Sequence, residues 1–430
     1  MRILLITQYW APENGVPQRR WGWLTQILED AGHEVLVVAP PPHYLRDIGF
    51  REWVKQKGFR SKIEIRDDVR QTEMVRSGYF PGGSSITQKT INQVAVAIGG
   101  LRAVTRRKGP VNDFRPQLVI GTVPALPTAF VTAAAALRFK IPYVIDLRDA
   151  WPELLTEADR WNVATGSPSL RQRILTKGPL QLVVKVTDFC LTRLLGRASG
   201  VISTSSYLAK DLETRRHRPL RTWTIRNVFP SETLIEKRPK LTSGEGTLNV
   251  LYAGTLGRAQ NLSNALKASK IANDKGVEVH LRFVGAGAAK TDLMAIAEAM
   301  KIPVTFEDRR DATLLEECYR WADTALVHLT DWAALANAVP SKTYELMNQQ
   351  LHISGVVTGE TARIIETLEA GDVVNPEDPE ALAQLWMDLA QDRSRLEVPV
   401  SGSRWVEQQR TDYSPRTLLE CVEWVSGVEK

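Results

Sequence analysis

Residues 337–366 read NAVPSKTYELMNQQLHISGVVTGETARIIE, and the pattern is helix, strand, helix. Pro340 opens the first helix, since its preset φ suits the first turn and its missing N–H would find no partner there anyway. Lys342 and Glu345 follow three residues apart, on one helical face and within reach of a common ligand. An apolar strand spans 353–357, and Thr358-Gly359-Glu360-Thr361 starts the second helix. Two helix N-termini beside a strand end favour an anion, because their unpaired N–H groups and macrodipoles point at it. The competing reading is an ordinary αβα unit with a surface Lys–Glu pair.

Working outward, the same alternation fills both halves of the chain. Strands are expected at 2–7 and 34–39 around a helix at 17–31, whose Trp21, Leu24, Leu28 and Ala31 recur at helical spacing. Strand–helix–strand units of this kind build parallel sheets. The first loop, QYWAPENGVPQRR at 8–20, lies at a strand's carboxyl end, where such sheets bind ligands. Gly15 there lets backbone approach a ligand, and Arg19 and Arg20 are candidate phosphate partners, Arg20 on the acceptor side; Arg19 reads equally well as a solvated charge. Residues 43–115 are strongly basic and less regular, and read as further strands and a helix with mobile loops. Strands at 117–121 and 143–147 flank an alanine-rich helix at 127–139, and the second strand runs into Arg148-Asp149-Ala150-Trp151-Pro152-Glu153. Charges in that position mark Arg148 as an acceptor-side residue and Asp149 as a candidate catalytic group, against the plainer option of an Arg148–Asp149 pair or a helix cap. A helix at 179–197 is amphipathic, which suits either a core helix with one solvated side or a segment lying on an anionic membrane.

Polar residues 231–247 lose all periodicity and read as a linker. Beyond it come a strand at 248–253, a glycine turn at 254–257, a helix at 261–273 and a strand at 278–284. Gly285-Ala286-Gly287 follows, then a helix at 290–300, strands at 324–329 and 371–374, and helices at 379–391 and 406–427. The third glycine of a dinucleotide fingerprint is missing, because Lys290 stands in its place. Two glycine turns after successive strands are expected to let a flat or phosphorylated ligand sit close to the sheet edge. The fold class is therefore α/β, with two Rossmann-like domains facing across a cleft. The expected bounds are 1–240 and 246–405, with helix 406–427 packing back on the first domain.

Composition narrows the function classes. The 430 residues are 43% hydrophobic and 24% charged, values of a soluble globular protein. Three scattered cysteines argue for a reducing compartment and against a disulfide framework. MRILLITQYW reads as a strand rather than a signal peptide, and no apolar run reaches the length of a membrane span, so a cytoplasmic protein is expected. Residues 1–240 carry 37 Lys and Arg against 21 Asp and Glu, a net +16, while 241–430 carry 18 against 28, a net −10. The basic half is suited to an anionic surface or partner. There is no Asp-Xaa-Asp triplet and no His/Cys cluster, so no metal and no cofactor are expected.

Several stretches together resemble a known family: APENGVPQRRWGWL with AGHEVLVV, IPYVIDLRDAWPE, SGVISTSSYLAKDL with IRNV, LYAGTLGRAQNL, FVGAGAAKTDL, WADTALVHL, and VPSKTYEL with TGETARIIE. In this order they are similar to the retaining glycosyltransferases of family 4, which have the GT-B fold, and most similar to the bacterial fucosamine-transferase-like subgroup of O-antigen and capsule assembly. The resemblance implies transfer of a hexose or amino sugar from a nucleotide sugar, expected to be UDP-linked, to a lipid-linked or cell-surface glycan at the inner face of the cell membrane. It implies that Gly15 and Gly257 lie near the donor phosphate, that Arg258 and Lys342 pair with the pyrophosphate, and that Glu345 binds the ribose hydroxyls. Glu360 and Thr361 fall where the family contacts sugar or phosphate. Asn337 stands where the family's first glutamate is expected. A nucleotide-sugar epimerase of the same fold and a basic nucleic-acid or membrane-surface binding protein are the alternatives; no nucleic acid is expected as a partner of the enzyme.

Overall fold

The computed structural model describes residues 1–13, 15–42, 49–60, 62–65, 72–81, 86–123, 125–150, 179–214, 220–230, 247–309 and 312–427. The chain divides into two compact units, the first comprising 1–152, 185–229 and 412–430, the second 153–184 and 230–411. The linker read at 231–247 lies almost wholly outside the described residues, as do Trp151, Pro152 and Glu153.

Up to residue 224 the described elements run β1 (Arg2–Ile6), α1 (Val16–Asp30), β2 (Glu34–Ala39), α2 (Phe50–Lys55), β3 (Lys62–Ile65), β4 (Glu73–Arg76), α3 (Ile86–Thr105), α4 (Pro110–Phe114), β5 (Leu118–Val123), α5 (Pro127–Phe139), β6 (Tyr143–Leu147), α6 (Pro179–Leu195), β7 (Gly200–Ser203), α7 (Ser206–Thr214) and β8 (Thr222–Thr224). The sheet order is β3-β4-β2-β1-β5-β6-β7-β8, and every pair is parallel except β3–β4. Ile3 sits in register with Val35 on one side and Leu118 on the other. These strands are near-continuous runs of Val, Ile and Leu, as expected of strands buried on both faces. The chain leaves β1 to one side for β2 and later returns to β1's other side as β5. That reversal of direction beside β1 is where an open parallel sheet leaves a crevice at its carboxyl edge.

The second unit has β9 (Thr247–Ala253), α8 (Ser263–Asp274), β10 (Glu278–Val284), α9 (Lys290–Met300), β11 (Val304–Glu307), α10 (Ala312–Trp321), β12 (Thr324–His328), α11 (Ser341–Asn348), β13 (His352–Val356), α12 (Gly359–Thr367), β14 (Gly371–Val374), α13 (Pro379–Gln391) and α14 (Ser401–Gln408). Its strands are ordered β11-β10-β9-β12-β13-β14, all parallel, so the switch point lies at β9 between β10 and β12. Leu248, Val250 and Phe283 pack with Trp386 of α13 in one buried core.

The strands and helix expected within 43–115 include the 20-residue α3. One sequence expectation changes. The C-terminal helix begins at Ser401 rather than 406, and a π turn over Gln409–Tyr413 separates α14 from α15 (Ser414–Ser426). The turn rotates the apolar face, so that Leu418, Cys421 and Val422 of α15 join Trp21, Leu28 and Trp223 in the core of the first unit.

Candidate functional site

In the second unit the glycine turns after β9 and β10 pack against each other. Gly254 N donates to Val284 O at 2.9 Å and Leu256 N to Ala286 O at 3.0 Å. A Cβ on Gly285, whose φ is +154°, would lie 1.8 Å from Gly254 O, and one on Gly287 would lie 2.1 Å from Leu256 O. The glycines at 285 and 287 thus permit backbone to meet backbone, which corrects the expectation that they clear room for a ligand. The turn continues into a short 3-10 helix, Arg258–Gln260, preceded by Gly257 in extended conformation. Ala259 O accepts from Thr330 N at 2.9 Å, and the Thr330 hydroxyl donates to Glu377 Oε1 at 2.8 Å. The exits of β9, β12 and β14 are therefore tied to one another. Below them His328 is buried with Asn264 Nδ2 3.2 Å from its Nε2, and burial pushes its pKa down to about 3, so the ring is neutral.

The helix read from VPSKTYEL is α11, capped by Pro340. Lys342 Nζ donates to Glu345 Oε2 at 3.0 Å and to Tyr319 Oη at 3.1 Å, and the Tyr319 hydroxyl donates to Glu345 Oε1. Tyr319, buried on α10, is a partner that the sequence reading missed, because it lies 26 residues from Glu345 and nothing local in the sequence links the two. Both charged groups are partly open, Lys342 at 28% and Glu345 at 18% side-chain exposure. A carboxylate has about four lone-pair sites. Lys342 and Tyr319 donate to different oxygens of the Glu345 carboxylate, so the pair holds its rotamer from two directions.

Beyond β13, Gly359 begins α12 with φ +65°, and a Cβ there would meet Ala336 O at 2.1 Å. The Thr361 hydroxyl donates to Ala338 O at 2.7 Å, and the Glu360 side chain is buried. The start of α12 is thus clamped onto the 3-10 turn Ala333–Asn337. What it can offer a ligand is the positive end of the helix rather than the Thr361 hydroxyl.

In the first unit Gly15 is the N-cap of α1, with φ −104°. Arg20 does not face a ligand. It is fully buried, with Nη2 2.9 Å from Asp146 Oδ1 and Nη1 donating to Ile225 O at 2.8 Å and Asn227 Oδ1 at 3.2 Å. Trp21 Nε1 donates to Asp146 Oδ2 at 2.7 Å. An acceptor-side role for Arg20 is therefore replaced by a structural one: it staples α1 to β6 and to the exit of β8. Its neighbour Arg19 stacks on Phe229 at 4.7 Å rather than lying in solvent. Arg148 is half-buried at the end of β6, with its backbone carbonyl accepting from Thr204 Oγ1 at 3.0 Å. Burial lowers its pKa, and Asp149 and Asp146 oppose that shift. Asp149 is exposed.

The structure thus joins Lys342 to Glu345, sets Gly257 and Arg258 beside the β12 exit, and seats Glu360 and Thr361 on a neighbouring turn. Gly15, Arg148 and Asp149 belong to the other unit. Among the described residues no group of three or more His, Cys, Asp or Glu could hold a metal ion, and no helix is long and apolar enough to cross a membrane.

Comparison with known families decides the identity. Residues 15–227 match the glycosyl transferase 4-like domain, and residues 235–404 match glycosyl transferases group 1. The chain belongs to the glycosyltransferases that pair these two domains. Both matches are to glycosyl transferases, which does not favour the epimerase reading. No curated protein sequence matches the chain. Among solved structures, the glycosyltransferase is similar to sucrose-phosphate synthase from Thermosynechococcus elongatus, with TM-score 0.66 and 14% identity over 99% of this chain and 98% of that one. It is also similar to Anabaena HepE in complex with UDP-glucose, with TM-score 0.60 and 14% identity over 99% and 100%. TarM of S. aureus, in a complex containing UDP, gives 0.59 and 9% over 99% of each chain. At such identities the likeness is one of fold: two Rossmann-like domains of GT-B type.

Proposed function

We propose that this glycosyltransferase moves a hexose or N-acetylated amino sugar from a UDP-sugar to a lipid-linked or cell-surface glycan, with retention of configuration and without a metal ion. The carrying observation is the Lys342–Glu345–Tyr319 cluster on α11 and α10. In this reading the partly exposed Glu345 carboxylate accepts from two ribose hydroxyls, while Tyr319 and Lys342 hold its rotamer. Lys342 and Arg258 pair with the pyrophosphate, together with the positive end of α12 and the backbone at Gly257. The departing nucleotide gains negative charge, so fixed cations and a helix N-terminus stabilise the transition state more than the bound donor. Gly15 lies on the donor-phosphate side of the first unit, and Arg148 and Asp149 serve the acceptor, Asp149 as its carboxylate. UDP as the nucleotide is supported by the UDP-glucose complex of HepE and the UDP complex of TarM. Motif order supports the fucosamine-transferase-like subgroup, with action at the cytoplasmic face of the membrane.

The test is thermal unfolding of the full chain with UDP, GDP and ADP, followed by transfer from UDP-sugars to a polyprenyl-linked saccharide with and without a chelator. A ligand that binds only the native state at a hundred times its Kd adds about 2.7 kcal/mol of stability. UDP should raise the midpoint and GDP and ADP should raise it less, with transfer unaffected by the chelator. No shift with any nucleotide, or epimerised free donor in the absence of acceptor, would sink the proposal.

A further inference from the structure

Helix α3 carries four large aliphatic side chains where a soluble helix normally shows polar ones. Ile91, Val94, Ile98 and Leu101 are each between 40% and 50% exposed. Their spacing of three, four and three residues lines them along one solvent-facing stripe about 15 Å long. Helix α5 packs beside α3, with Val131 at van der Waals distance of the Cβ position of Gly100. Helix α5 also exposes Phe130 and Leu137, the latter 81% exposed. The opposite faces of both helices are buried, through Val96 on α3 and Thr132 and Ala135 on α5. The exposed stripe is therefore surplus to the core. A contiguous apolar patch of this kind marks an interaction surface.

Its rim is basic. Arg102, Arg106, Arg107, Lys108 and Lys140 are exposed at the C-terminal ends of the two helices. Arg138 ties those ends together, donating to Val104 O at 3.1 Å and Arg106 O at 3.2 Å. Between Glu73 and Asp146 the sequence has nine Lys and Arg and a single acid, Asp113. The other end of α3 reaches the ligand edge, where Gln8 of the loop after β1 donates to Asn92 at 3.2 Å.

We propose that the α3–α5 face is the surface by which this protein lies on an anionic lipid bilayer. Aliphatic side chains enter the acyl boundary while the cations meet the headgroups. The rim favours the bilayer over a second copy of the chain, because anionic headgroups neutralise cations that a second copy of the same basic rim would not. The placement differs from the sequence expectation, which offered the helix at 179–197 for the membrane. It rests on the lipid-linked acceptor of the proposed function for its purpose, not for its geometry.

The test is sedimentation of the full-length protein with vesicles of phosphatidylcholine alone and of phosphatidylcholine with phosphatidylglycerol. The variants are Val94→Asp with Ile98→Asp, Arg106→Glu with Arg107→Glu, and Val186→Asp with Phe189→Asp on α6. The wild type should bind the anionic vesicles in a salt-sensitive way. Each of the first two variants should bind about tenfold more weakly or worse, and the third should bind like the wild type. Arg106 and Arg107 are exposed, so that pair keeps the test open if the aspartates unfold the chain. The proposal is overturned if the wild type ignores anionic vesicles, if the first two variants bind unchanged, or if only the α6 variant loses binding. It is equally overturned if light scattering finds a wild-type dimer that the α3 variants dissolve. UDP-induced stabilisation, read on the same samples, separates the two readings: its loss sinks the donor site alone, and loss of vesicle binding alone sinks this surface.

Discussion

Asp146→Ala removes a carboxylate that serves two fully buried donors, the Arg20 guanidinium at 2.9 Å and the Trp21 indole at 2.7 Å. Arg20 would keep Ile225 O and Asn227 Oδ1, but its charge would lose its only counter-charge among these contacts. Breaking a buried pair from one side costs about 3–5 kcal/mol, mostly from the charge left behind. The orphaned indole N–H adds about 1–3 kcal/mol. The remaining carbonyl contacts and local relaxation offset part of this, so about 3–5 kcal/mol is expected in total. For a unit of this size that is about 6–20 °C in its own calorimetric transition. Replacing both partners, as Arg20→Met with Asp146→Leu, should cost clearly less than the sum of the single changes, because no charge is stranded. A shift under about 1 kcal/mol for Asp146→Ala, or strict additivity in the pair, would refute the claim that this staple holds α1 in place.

Three further outcomes follow from the second unit. Tyr319→Phe deletes the hydroxyl that donates to Glu345 and accepts from Lys342. It should weaken UDP binding about two- to tenfold, as one lost hydrogen bond of about 0.5–1.5 kcal/mol implies, read by calorimetric titration. Gly285→Ala meets both a φ of +154° and a carbonyl 1.8 Å from the new Cβ. It should lower the stability of the second unit by more than about 1–3 kcal/mol, seen as a lower midpoint in urea. His328, held down to about 3 by burial, binds no proton when folded but takes one near 6.5 when unfolded. Since the unfolded state then binds more protons, stability must fall as pH drops below about 6.5, by up to about 1.4 kcal/mol per unit. His328→Asn should flatten that slope in unfolding curves taken at pH 4 to 7 (an interval set by the shift itself, about 3 to 6.5).

Much of the second unit could be read before its structure was known. Its strands are apolar runs set off by glycine turns, and α9 occupies 290–300 as the sequence reading places it. Lys342 and Glu345 sit on one helical turn, so local periodicity alone brings them together. Pairings across long stretches of chain were not legible. Arg20 and Asp146 are 126 residues apart, and an arginine on a first turn after a glycine-rich loop reads as a ligand group until its partner is seen. Tyr319 was hidden for the same reason, being one tyrosine in an amphipathic helix 26 residues from Glu345. The glycines at 285 and 287 were located correctly and misassigned in purpose, because sequence shows that a side chain is excluded but not what excludes it. On α3 the stripe at 91, 94, 98 and 101 has the period of a buried face; only the structure distinguishes it from the face that is in fact buried.

The most direct measurement of the donor site is calorimetric titration of UDP, and of a 2′,3′-dideoxy analogue, into the wild type and Glu345→Ala. If Glu345 accepts from the ribose hydroxyls, the wild type binds UDP and the variant binds it about 10- to 100-fold more weakly, since hydrogen bonds to a charged acceptor contribute about 1.5–3 kcal/mol. With the dideoxy analogue the two proteins should bind alike. Equal UDP affinity in wild type and Glu345→Ala, or a difference that persists with the analogue, would contradict the assignment.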